Sequence, residues 1–149
     1  MQIISRPTLR PVGQGVVTAQ CYAAGLAFAA GLLHFETAPH HFQETFIFGV
    51  FMVVAGIAQV AGGILLLVRP SGALVGGLVG GTILLLGLYA FAHTTGLPFG
   101  PYPWQAEHTH TFDILSKGSE LALLWVLVPL GGWTARWRIA LHVKRFGIG

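Results

Sequence analysis

The sequence predicts an all-α integral membrane protein: a four-helix bundle, N-in and C-in, followed by a short amphipathic C-terminal interfacial helix. Three observations predict it. Hydrophobic residues make up 54% of the 149-residue chain and charged residues only 9%, against roughly 25% charged in soluble domains. Four apolar stretches approach the ~20 residues that cross about 30 Å of hydrocarbon. The charges sort by side of the membrane instead of mixing along the chain.

The first stretch, VVTAQCYAAGLAFAAGLLHF, covers roughly 16–35 and is the weakest, diluted by Gln20 and by several Ala and Gly. Two Arg precede it and an Ala-Phe-Ala lies near position 28, features shared with signal peptides; it reads as a retained span. The second covers about 45–68. An RPSG turn leads to the third, about 73–92. A long Gly/Pro-rich connection over 93–111 follows, and the fourth span runs from about 112 to 130, stopping at Gly131-Gly132. Lipid leaves no backbone group unsatisfied, so each span is expected to be helical. The segment 36–44 reads as a loop between the first two spans. The tail 131–149 carries Trp and Arg spaced for a membrane surface. The whole chain reads as one transmembrane domain.

Seven of the eight Lys and Arg lie in the N-terminal tail (Arg6, Arg10), the RPSG turn (Arg69) and the C-terminal tail (Arg136, Arg138, Lys144, Arg145). With four crossings these segments share one side, which the positive-inside rule makes cytoplasmic. All five acids, and six of seven His, fall in or near the other side. A multi-pass protein of a bacterial inner membrane, with its ionisable end extracytoplasmic, is the expected placement. Nucleic acid is excluded as a partner: the pI near 9.5 comes from topology signals, and no basic run is interleaved with aromatics. A single cysteine, Cys21, excludes an internal disulfide and any CxxC motif.

Gly76/Gly80 and Gly77/Gly81 stand four apart in the third span, and Gly56, Gly62 and Gly63 lie in the second. Small residues at this spacing let helices approach closely in lipid. They are expected to pack the bundle, or to dock a larger complex or a second copy. Gln59, mid-span, is expected to hydrogen-bond across the bundle.

The ionisable end carries the chemistry. HFETAPHHFQETF places His34 at the close of span one, then a Thr-Ala-Pro stretch that resembles a helix entry, since Pro suits a first turn. His40 and His41 then stand four and three residues before Glu44, on one helix face. His93 ends span three, the long loop brings Glu107, His108 and His110, and Asp113 opens span four, with Lys117 and Glu120 deeper. Charges inside the apolar zone cost at least ~2.5–3.5 kcal/mol near its centre, so Lys117 and Glu120 need partners and could serve each other. A lone His at a helix end is ordinarily a water-facing residue, and loop acids such as Glu36 and Glu107 are ordinarily solvated. Convergence from all four spans weakens that explanation. Imidazole with carboxylate suits Cu, Zn, Fe or Mn, so a transition-metal site is expected. Its ligands would come from His34, His41, Glu44, His93, His110, Asp113 and Glu120, then His40 and His108. A haem between His34 and His93 is the less favoured cofactor, and requires spans one and three to be adjacent.

The stretch Thr94-Thr95-Gly96-Leu97-Pro98-Phe99-Gly100-Pro101, the His/Glu entry to span two and the Asp113…Glu120 pair resemble a group of uncharacterised bacterial tetraspan membrane proteins, over roughly residues 30–130. The resemblance implies bacterial origin and a four-helix fold; it brings no activity with it.

The function expected is thus a small membrane protein with an outward-facing His/carboxylate cluster, in a metal-handling or accessory role. The alternatives are a structural subunit of a respiratory, photosynthetic or oxygenase complex, and a haem-binding bundle. An enzyme using a metal-activated water would need Glu44 or Glu120 as base, but no substrate is indicated.

Overall fold

Four apolar runs become four helices: α1 (Val12–Glu44), α2 (Phe46–Val68), α3 (Gly72–Thr94) and α4 (Thr111–Phe146). The structure, a computed structural model, describes residues 12–109 and 111–146. All four helices are long and apolar enough to cross a membrane, and no strand occurs among the described residues. This is the build of a multi-pass membrane protein. The side chains turned outward agree: Trp125 is 85% exposed and Phe46 77%, surface that water would punish and lipid accepts.

The helix starts are chemically marked. Thr45 caps α2, its hydroxyl accepting from the Phe48 N–H at 3.3 Å, and Ser71 caps α3 by accepting from Leu74 at 3.1 Å. Each cap satisfies one of the orphan N–H groups of a first turn.

α1 departs most from the sequence reading. The loop expected over 36–44 is helix, and only Thr45 separates α1 from α2. Pro39 sits inside α1 rather than opening α2. Its ring forfeits one backbone hydrogen bond, to the Phe35 carbonyl, and interior Pro costs about 3 kcal/mol in an exposed helix. Ala38 and His41 on either side are buried, and that packing offsets the loss. His34, expected at the end of a span, therefore lies ten residues inside α1, about 15 Å from its end at 1.5 Å per residue. At the other terminus, α4 passes through Gly131-Gly132 without a break to Phe146. The stop expected at the glycine pair is not seen, and the side chains of the amphipathic tail lie outside the described residues.

α1 packs against α2 and α4, α4 also packs against α3, and α2 barely touches α3. The span diluted with Ala and Gly is thus the central one, and that dilution has a purpose. Ala23, Ala24 and Ala27 are fully buried against Leu66 of α2 and Leu123 and Leu127 of α4, because small side chains let two neighbours close in at once.

The glycines divide by helix. A Cβ on Gly56 would fall 2.9 Å from the Gly31 carbonyl, and a Cβ on Gly31 would meet the Gly56 carbonyl at 2.9 Å; this reciprocal contact is where α1 crosses α2. A Cβ at Gly76, Gly77, Gly80 or Gly81 of α3 would meet nothing within 4 Å. The motif that reads most strongly as a packing signal meets nothing among the described residues.

Candidate functional site

Along its length the bundle has three zones. Ala23, Ala24, Ala27, Leu66, Val75, Leu123, Leu127 and Leu130 form an apolar plug at the end of the Arg69 turn. A polar layer follows, and a cavity opens at the opposite end, beneath the connection over 95–109.

The polar layer is centred on Glu120, which is fully buried. Its Oε1 lies 2.9 Å from His34 Nε2 and accepts from Gln59 Nε2 at 3.2 Å; its Oε2 accepts from Lys117 Nζ at 2.8 Å. Three helices meet on one carboxylate. A carboxylate only accepts, so His34 presents Nε2–H to it. The Lys117 ammonium also stands 5.4 Å from the Tyr89 ring centroid on α3, within cation–π range. Both oxygens of Glu120 are thereby spent on protein partners.

The cavity encloses about 700 Å³, well within the ≈300–1,000 Å³ usual for ligand sites. Residues of all four helices line it, and of the packed pairs α2 and α3 make the fewest contacts with each other. Its walls differ in kind. α2 and α3 supply mainly Ile47, Phe48, Phe51, Met52, Leu85 and Leu88. α1 supplies His34, Thr37, His40, His41 and Glu44, and α4 supplies Asp113, Ser116 and Lys117. One side is mainly hydrocarbon, broken by Tyr89 and His93 of α3, and the other mainly ionisable.

The connection roofs the space. Glu107 N–H donates to the Ala92 carbonyl at 3.1 Å and Trp104 N–H to that of Leu97 at 2.8 Å, which folds the loop back over the end of α3. Phe99 stacks at a tilt on Phe48 of α2, centroids 6.0 Å apart. Gly96 (φ +76°) and Gly100 (φ +112°) take the left-handed backbone these turns require. A Cβ at Gly96 would strike the backbone of Gln105.

Of the nine residues singled out from the sequence, His34, His40, His41, Glu44, His93, His108 and Asp113 line this one cavity. Glu120 lies one hydrogen bond behind it through His34. His110 lies outside the described residues. His41 Nδ1 is 3.1 Å from Glu44 Oε2, and His40 Nε2 is 3.5 Å from Glu44 Oε1. These pairs keep the i,i+3 and i,i+4 spacing expected of them, though on the end of α1 rather than the start of α2. Among the described residues, no three His, Cys, Asp or Glu side chains stand close enough to hold one ion.

Sequence reasoning missed Tyr89 and Ser116. Tyr89 packs on His93, four residues on, with ring centroids 3.9 Å apart, and its carbonyl accepts from His93 Nδ1 at 3.0 Å. That bond fixes the proton on Nδ1, so neutral His93 carries its lone pair on Nε2, which is buried and has no partner among the described residues. Ser116, 3% exposed, lines the cavity, and its Oγ is likewise buried without a partner. The i,i+4 spacing of Tyr89 and His93 was a usable signal; nothing in the sequence marked Ser116.

No protein-family model, curated protein or solved structure matches the chain. The site's chemistry therefore has to be argued from its own residues.

Proposed function

We propose that this is a bacterial inner-membrane binding protein that holds a small amphipathic molecule in the cavity at its extracytoplasmic end. The observation that carries the reading is the mixed wall: mainly apolar side chains from α2 and α3, with His93, and mainly ionisable or polar ones from α1 and α4. A ligand with an apolar body and a polar head satisfies both sides, and pockets of this kind use a few polar groups to orient a mostly apolar guest. The orientation rests on the seven Lys and Arg assigned to the tails and the α2–α3 turn.

The test is saturable binding of an uncharged probe, triphenylphosphine oxide, to the protein in lipid nanodiscs. One molecule per chain is expected, and Leu85→Trp, which fills the apolar wall, should abolish it. Binding that Leu85→Trp leaves unchanged would locate the probe in the lipid and overturn the reading.

A second reading, a transition-metal centre, is favoured by one observation. His93 gives Nδ1–H to a backbone carbonyl and keeps a bare Nε2, the outer-shell arrangement that ligating His almost always has. A first ligand would be His93, completed by groups that must move toward it. Elemental analysis of protein purified in mild detergent should find stoichiometric Cu, Zn, Fe or Mn that is lost in His93→Ala. A metal-free sample, before and after reconstitution, would eliminate the centre.

A further inference from the structure

We infer that the polar head of the guest is a neutral hydroxyl, which donates to His93 and accepts from Ser116. This rests on the amphipathic-ligand reading and adds the chemistry of the head. His93 Nε2 and Ser116 Oγ are both buried without a partner among the described residues, and both residues line the cavity. They belong to one side of it. Ser116 adjoins Lys117 on α4, the Lys117 ammonium stands 5.4 Å from the Tyr89 ring centroid on α3, and Tyr89 packs on His93. A buried polar atom left unbonded costs free energy, and a guest that bonds both atoms removes that cost twice.

The two atoms ask for different things. His93 Nδ1 already donates to the Tyr89 carbonyl, so Nε2 of the neutral ring only accepts. The Ser116 hydroxyl can donate or accept, and no hydrogen bond among the described residues fixes its one torsion. A hydroxyl oxygen on the guest meets both needs: its proton goes to Nε2, and its lone pair takes the Ser116 proton. A carboxylate or an ether brings no proton for His93. An ammonium would have to sit beside Lys117, a cation already on this side of the wall. Water offers the same two bonds, and a hydroxyl-headed molecule displaces it without forfeiting either. The apolar body then lies against Phe48, Phe51, Leu85 and Leu88.

The experiment measures saturable binding of three matched probes to the full chain in lipid nanodiscs. Uptake by protein-free discs is subtracted, and EDTA is present so that no metal competes for His93. The probes are 4-phenylphenol, its methyl ether 4-methoxybiphenyl, and biphenyl. The phenol should bind about tenfold tighter than the ether. His93→Phe should erase that advantage and leave the ether and biphenyl unchanged. Ser116→Ala, which removes one oxygen, should weaken phenol and ether alike several-fold and spare biphenyl. If the ether matches or exceeds the phenol, or if either variant leaves the phenol's affinity unmoved, the hydroxyl assignment is overturned, while saturable binding of biphenyl keeps the cavity reading. A His93→Phe protein that no longer binds biphenyl has lost the cavity, and Ser116→Ala then decides alone. If neither biphenyl nor triphenylphosphine oxide binds saturably, the cavity reading itself has failed.

Discussion

Glu120→Ala should destabilise the bundle by about 3–5 kcal/mol, the range for removing one partner of a buried ion pair. Three groups lose their acceptor at once. The Lys117 ammonium, its side chain only 14% exposed, is left charged against hydrocarbon, and His34 and Gln59 keep buried N–H groups with nothing to accept them. Unfolding followed by heat in one detergent should show a drop on the order of 10 °C at this chain length. The double variant Lys117→Met/Glu120→Leu separates charge pairing from shape. It removes both charges while keeping apolar volume, so it should recover most of the loss, as replacement of buried pairs by packed hydrophobes often does. A double variant no better than Glu120→Ala would show that cavity formation, not the stranded ammonium, sets the cost.

The second large effect is at the α1–α2 crossing. Gly56→Val places a side chain where even a Cβ would come within 2.6 Å of the Phe35 ring and 2.9 Å of the Gly31 carbonyl. The ring can rotate, but the carbonyl belongs to a helix backbone and cannot yield without separating α1 from α2. Overpacking costs about 1–3 kcal/mol where side chains can adjust, and occasionally more; against backbone the upper end is expected. Gly80→Val is the internal control. Its Cβ meets nothing within 4 Å, so the monomer's thermal stability should be unchanged within about 0.5 kcal/mol. Equal losses at the two positions would mean that α3 packs against something in the measured state. A shift in oligomer size in the Gly80 variant would identify that something as a second copy.

How much was legible beforehand differs from residue to residue. Four apolar helices follow from composition and run length, since hydrocarbon thickness imposes its own ruler. The gathering of ionisable residues at one end was legible too, because an apolar chain has few of them to place. Lys117 and Glu120 needed partners and could serve each other at i,i+3, and a mid-span Gln59 was expected to hydrogen-bond across the bundle; both contacts are present.

Other features were decided only when helices met. Pro39 looks like a helix start in isolation, and only the burial of Ala38 and His41 keeps α1 helical through it. That extension carries His34 from a helix end into the middle of the bundle and into the hands of Glu120. The glycine pattern is strongest in α3, yet the close crossing uses Gly31 and Gly56, because spacing says a helix can be approached and not which neighbour approaches it. The cavity has no sequence signature at all. It is lined by residues from all four helices and from the connection between α3 and α4. A local sequence encodes which residues are apolar or charged. Whether two faces touch or stand apart is a property of the pair, and only tertiary packing settles it.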